Sequence, residues 1–303
     1  MLTHLNAQPV NPRRVVVLGG GGFIGGAILR RLEKDGIAAI SLGRPSLDLL
    51  DANAAQRLAQ ALDAQDTLVF ASARAPCKDL AILGENTRML EAVCTALRQR
   101  PVAHVVYISS DAVYKDAAGP LTEASCAEPG SMHGLMHLTR EVALRSEHAG
   151  RLAILRPTLV YGYDDPHNGY GPNRFRRLAA AGTEIVLFGE GEERRDHVAV
   201  EDIAELARLI ILHRSSGVAN AVSGEVVSFR QLAEFAASAF APKVQIKGSP
   251  RSGPMPHDGY RPFDNSAVLK AFPGFRFTGW RQGMAAALTR QQDALGVRQE
   301  SRS

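Results

Sequence analysis

Over the first half of the chain, short apolar runs rich in β-branched residues alternate with longer amphipathic stretches. Val15–Leu18 and residues 38–42, 67–71, 105–108 and 152–155 have strand length, and the segments between them repeat their apolar positions at helical spacing. Strands that are apolar on both faces belong to sheets covered on both sides, so the pattern predicts an α/β fold with a doubly wound parallel sheet. After Arg156-Pro157 the texture changes, and residues 162–173 are rich in Gly, Pro, Asp and Asn. A helix is expected over 201–213, with Ile203, Leu206, Ala207, Ile210 and Ile211 on one face, followed by a strand at 218–222. The last third carries Pro242, Pro250, Pro254, Pro256, Pro262 and Pro273 and reads as a looser set of short elements.

The first run opens into Gly19-Gly20-Gly21-Gly22-Phe23-Ile24-Gly25, ahead of a helix expected over 23–32. Gly19, Gly22 and Gly25 form a GxxGxxG pattern between strand and helix, the context in which glycine lets a backbone approach a pyrophosphate and the helix start meets its charge. A structural turn is the alternative. The tip of the second strand, Ile40-Ser41-Leu42-Gly43-Arg44, lacks a carboxylate for ribose hydroxyls. Ser41 and Arg44 there suit a 2′-phosphate, so NADP(H) is favoured and NAD(H) is possible. This divides the chain into a Rossmann domain over 13–161 and a smaller α/β substrate-binding cap over 162–290, with 198–223 returning to the Rossmann domain.

Composition narrows the class. Hydrophobic residues at 45% and charged residues at 22% are ordinary for a globular protein, and a net charge of +4 without a basic stripe argues against nucleic acid. Cys77, Cys94 and Cys126 form no CxxC pair and suggest neither a disulfide framework nor a zinc site, which fits a reducing cytoplasm. No run approaches the length of a membrane span.

The glycine loop, Val105-Val106-Tyr107-Ile108-Ser109-Ser110-Asp111-Ala112-Val113-Tyr114, Leu155-Arg156-Pro157 and Arg195-Asp196-His197-Val198 together resemble the NAD-dependent epimerase/dehydratase family, the extended short-chain dehydrogenases. The resemblance runs from about residue 13 to 288. It implies a nucleotide-sugar substrate, a homodimer, and a catalytic set of an Asn, a hydroxyl residue and a Tyr followed four residues later by Lys. Asn86 and Ser110 occupy the first two positions. Phe23, Ile24, Asp48 and Leu49 join the implied cofactor contacts. On the substrate side the resemblance points to Arg195 for the diphosphate, with Asn173, Arg174 and Arg261 as companions.

The dyad departs from the family. Where relatives read Pro-x-Ser-x-Tyr-Gly-x-x-Lys, this chain reads Pro129-Gly130-Ser131-Met132-His133-Gly134-Leu135-Met136-His137. An imidazole titrates near neutrality and can move a proton, so His133 is expected to replace Tyr, and His137 to reach the cofactor ribose in place of Lys. A neutral His137 brings no fixed positive charge. The i, i+4 spacing also suits zinc, but no third ligand is identifiable and no metal is expected. Leu159 stands where many relatives have Asn. Asp111 is followed by Ala112 rather than the Glu of a 4,6-dehydratase, which disfavours that reaction. The expected function is NAD(P)-dependent epimerisation or oxidation/reduction of a nucleotide-activated sugar. The alternative is a catalytically impaired dinucleotide-binding module that senses redox state or scaffolds a partner.

Overall fold

The five apolar runs form strands within two residues of their expected bounds. The computed structural model describes residues 2–148 and 150–296. In order they give β1 (Val15–Leu18), α1 (Phe23–Lys34), β2 (Ala39–Leu42), α2 (Ala54–Ala61), β3 (Thr67–Phe70), α3 (Leu80–Gln99), β4 (His104–Ile108), α4 (Met132–Glu147) and β5 (Arg151–Pro157). Then come β6 (Leu159–Tyr161), α5 (Pro172–Ala180), β7 (Ile185–Phe188), β8 (Arg194–Ala199), α6 (Val200–Leu212), β9 (Gly217–Ala221) and β10 (Val226–Ser228). The chain closes with α7 (Phe229–Ser238), β11 (Ile246–Ser249), β12 (Tyr260–Arg261), α8 (Ser266–Ala271) and α9 (Trp280–Ala294).

Six strands form one parallel sheet in the order β2-β1-β3-β4-β5-β9. Its residues divide by the two-residue period of a strand. Val15, Val17, Val69, Val106, Ala153 and Leu155 pack with α1 and α6, whereas Val16, Leu18, Leu68, Phe70, Val105 and Tyr107 pack with α2 and α3. The sheet is therefore covered on both faces, as its uninterrupted apolar strands predict. The strand order reverses direction at β1, where β2 lies on one side and β3 on the other, and such a switch point opens a crevice beyond the carboxyl ends of the strands.

The second lobe is built on β8. Its first residues pair with β10 and β12 and its last with β6, while β7 and β11 form a separate parallel pair. Phe175, Leu187, Phe229, Leu232 and Trp280 fill the core between these strands and α5, α7 and α9. After β8 the chain re-enters the first lobe through α6 and β9 before returning at β10. No helix among the described residues is long and apolar enough to cross a membrane.

Candidate active site

Between the lobes lies a cleft of about 1180 Å³. Its floor is made by segments that leave the carboxyl ends of successive strands: the glycine loop after β1, Ala71 and Ala73 after β3, Ser109 and Ser110 after β4, and Thr158 after β5. Asn173, Arg195, His257 and Arg261 close it from the second lobe.

The glycine loop forms the first end of the cleft. Gly19 has φ +86°, a left-handed conformation that favours glycine, and a Cβ on Gly25 would run into the Gly19 carbonyl. The turn and the first helical residues therefore sit too close for side chains. At the start of α1 no side chain caps the backbone and the first turn carries no acid, so the free N–H groups at Phe23, Ile24 and Gly25 open on the cleft those residues line. Arg44, exposed just beyond β2, also lines it and makes no ion pair among the described residues.

His133 and His137 lie midway along the cleft wall, one turn apart on α4. Two contacts fix that helix. Gly134 packs where a Cβ would overlap the Ala112 carbonyl, which brings the helix start against the turn after Ser110. Further along, Glu141 is fully buried and accepts from Ser109 Oγ at 2.7 Å and from Arg156 Nε at 2.8 Å and Nη2 at 2.5 Å, tying α4 to β4 and β5. The Cys77 N–H donates to His133 Nδ1 at 3.4 Å, and the two imidazoles meet edge to face with centroids 4.7 Å apart. Burial lowers the His133 pKa, the Asp111 carboxylate pulls it up and Arg140 pushes it down. For His137, burial again dominates, and His133 and Arg140 add to it, so its pKa falls well below the usual value. Burial therefore favours the neutral form of both rings and moves each titration below that of a free imidazole, the more so for His137.

Ser110 lines the cleft too, with its hydroxyl accepting from the Ala112 N–H at 3.1 Å and donating to Asp111 Oδ1 at 3.4 Å. It shapes the turn and remains at the cleft surface.

At the far end, β8 and β12 run parallel with Arg195 opposite Arg261. Arg261 Nη2 donates to the backbone carbonyls of Asp111 and Tyr114, both at 3.1 Å. Asp111 Oδ2 lies 3.9 Å from Arg195 and 3.8 Å from Arg261, with no hydrogen-bond partner of its own. His257, in a left-handed conformation, contacts Asp116 through Nδ1 at 2.7 Å and stacks its ring nitrogens 3.3 Å from Arg261 Nη1. The sequence offered no signal for His257 or Asp116 as cleft residues, whereas Asp111 stood in the motif that carries Ser110.

Several candidate residues lie elsewhere. Asn86 is fully buried, donating to the carbonyls of Arg74 and Ile82 and accepting from the Arg74 N–H and Arg140. It organises the wall behind the cleft without lining it. Leu49 belongs to the core under α2 and α3, and Asp48 accepts from the Leu50 N–H. Ser41 is exposed on β2 against Gly20, and Arg174 is exposed on α5; none of these four lines the cleft. Asn173 does, bridging the Gly162 N–H and Asp165.

The fold and cleft define a doubly wound α/β protein with a glycine-loop crevice facing a basic second lobe. The chain belongs to the NAD dependent epimerase/dehydratase family, which matches residues 15–223. It is 25% identical over 281 residues to a dTDP-4-dehydro-6-deoxy-D-allose reductase of Streptomyces bikiniensis, covering 78% of this chain and 84% of the relative. With GDP-L-fucose synthase 1 of Arabidopsis thaliana it shares 25% identity over 255 residues, 73% of this chain and 76% of that one. Among solved structures, a Thermus thermophilus UDP-glucose 4-epimerase in complex with NAD superposes with a TM-score of 0.80 at 22% identity, over 93% of this chain and 99% of the other. A GDP-L-fucose synthetase from Naegleria fowleri gives 0.83 at 18% identity, over 97% and 98%.

Proposed function

We propose that the protein exchanges hydride between NADP(H) and a carbon of a nucleotide-activated sugar, with the sugar held between His133, Ser110 and the second lobe. The observation that carries this reading is the single cleft joining the glycine loop to the Arg195–Arg261 pair with the histidines between. At about 1180 Å³ it exceeds the range usual for one small ligand and suits two ligands end to end. The relatives above act on dTDP- and GDP-linked sugars by name. The substrate lobe would take in β6 and all of β8, and so begins before residue 162 and keeps 198–199, with the chain leaving it only over α6 and β9.

The residues present fit a dinucleotide. The uncapped start of α1 would take the pyrophosphate at Phe23 and Ile24, through a loop too tight for any side chain at Gly25. Arg44, with no carboxylate partner among the described residues, would take a 2′-phosphate, which favours NADP(H) over NAD(H). The nicotinamide, when bound, supplies or accepts the hydride. Arg195 and Arg261, which share Asp111 and also reach Glu193 and Asp116, would hold the sugar's diphosphate through their guanidinium N–H groups. Ser110 and His133 orient the reacting sugar oxygen. Because a backbone N–H occupies His133 Nδ1, the neutral ring carries its proton on Nε2. A wall of neutral imidazoles with outward protons favours giving a proton to a carbonyl oxygen, the reductive direction.

The test is single-turnover absorbance of bound nicotinamide across a panel of nucleotide sugars and their 4-keto forms. Oxidation of NADPH by a keto sugar is expected, and it should be lost in His133→Phe with dinucleotide affinity unchanged. If no sugar changes the nicotinamide redox state, the enzymatic reading fails and a ligand-binding module takes its place.

A further inference from the structure

Behind the histidine pair lies a buried couple that the reading above leaves unused. Tyr107, in the interior of β4, places its Oη 2.7 Å from His137 Nδ1, and both residues are buried. Next to the phenol is Arg140, one turn beyond His137 on α4 and only 1% exposed. Its Nη1 donates to the Ser72 carbonyl at 2.7 Å, and its Nη2 donates to Asn86 Oδ1 at 2.8 Å and to the Asn86 carbonyl at 3.2 Å. The guanidinium stacks over Phe70 at 4.8 Å, and its Nε has no partner. Among the described residues Arg140 has no carboxylate in ion-pair range, although an unpaired buried guanidinium is costly.

The hydrogen-bond direction at His137 follows from this arrangement. A guanidinium offers only donors, so the phenol proton has one acceptor in reach, the imidazole Nδ1. His137 therefore carries its own proton on Nε2, the nitrogen left for the cleft that the residue lines.

We propose that Tyr107 and Arg140 act through His137 as a displaced acid and cation: the phenol is the second proton in line, and the guanidinium steadies the phenolate left behind. Where a bound nicotinamide would supply hydride to the carbonyl carbon, the His137 Nε2–H bond would break and an O–H bond would form on the oxygen that becomes anionic. At the same time the Tyr107 O–H bond breaks and a proton joins Nδ1, so the imidazole ends neutral and the negative charge rests on Tyr107 beside Arg140. Water reprotonates the phenolate by the reverse route once product leaves; oxidation of an alcohol runs the same steps backwards. Burial raises the Tyr107 pKa and Arg140 opposes that rise, which keeps the phenol protonated at rest. The chemistry rests on the function proposed above; the resting proton positions do not. Tyr107 and Arg140 are positioning residues, since neither lines the cleft.

Nitrogen NMR of histidine-labelled protein, with His137 assigned from His137→Gln, reads the resting state without any turnover. Nε2 should be protonated and Nδ1 bare, and His137 should titrate well below a free imidazole. Tyr107→Phe keeps the ring and should relax this tautomer preference, Arg140→Gln should raise the His137 pKa, and Arg140→Lys should restore it. In single turnover, the native protein should give a bowed proton inventory in mixed H2O and D2O, from two protons in flight. Tyr107→Phe should slow the step by about 100-fold, leave dinucleotide affinity unchanged and make the inventory linear. The native inventory needs no variant, so a misfolded mutant does not rescue the idea. A protonated Nδ1 in the native protein, a linear native inventory, or native turnover in folded Tyr107→Phe overturns it. If no sugar turns over at all, the function proposal and the relay fall together, while the Nε2–H assignment is decided by the spectra.

Discussion

Arg195 and Arg261 stand opposite each other on adjacent parallel strands, and the one carboxylate between them, Asp111, reaches both through the same oxygen at 3.9 and 3.8 Å. Glu193, 3.3 Å from Arg195, and Asp116, 3.4 Å from Arg261, balance the remaining charge, so what the pair offers an anion is directed N–H donors, the partnerless Nε of Arg195 among them. A diphosphate should therefore bind here more strongly than a neutral sugar. Arg195→Ala is expected to weaken nucleotide-sugar binding by roughly 1.5–3 kcal/mol and to leave dinucleotide affinity unchanged. Calorimetry with each ligand separately checks this, and equal losses for both would assign Arg195 to the fold rather than to the substrate.

Among the described residues Arg44 has no competing ion pair, so its charge is available to a ligand. Replacing it with Ala should cost NADP(H) about 1.5–3 kcal/mol and NAD(H) little. Tighter binding of NAD(H) than of NADP(H) by the native chain would contradict the assignment.

Gly25→Ala puts a methyl group into the Gly19 carbonyl. The loop must open, and overpacking of this kind costs roughly 1–3 kcal/mol of stability. The expected signature is a lower urea midpoint together with loss of dinucleotide binding, whereas Gly21→Ala, where a Cβ meets nothing within 4 Å, should keep the fold.

Acid should unfold the protein through its buried imidazoles. Burial brings His104 down to about 4 and His197 down to about 3, well below an unfolded His. A depressed folded pKa means that the unfolded chain binds the proton first. Their contribution is thus fully present above pH 6.5 and is lost as pH falls toward the folded values. For His104 the full effect is on the order of 3 kcal/mol. Urea midpoints measured from pH 7 to pH 4 should fall steadily, and His104→Gln, which can still donate to the Ser215 carbonyl, should flatten the slope.

The sheet was legible because its strands are apolar on both faces, and the glycine loop because its spacing is tied to a turn that admits no side chain. The basic pair was legible only residue by residue. Nothing in the local sequence says that Arg195 and Arg261 pair across 66 positions, since β12 is two residues long and gains its register from β8. Tyr107 lies in an apolar strand run and Arg140 in none of the motifs, and only the packing of α4 on β4 brings them to His137. Asn86 misled for the opposite reason: its position along the chain suits a site residue, while its side chain is fully engaged in joining Arg74, Ile82 and Arg140.

The return of the chain to the first sheet has a consequence for its birth on the ribosome. Strand β5 ends at residue 157, but its neighbour β9 ends at 221, so 64 more residues (221 minus 157) must be made before that edge can be covered. At the usual pace of synthesis the nascent chain carries an open, apolar strand edge for roughly 3 to 13 s. Its first residue is Arg151, a charge of the kind that keeps unpaired edges from joining other chains during such a delay, whereas Arg156 is engaged by Glu141.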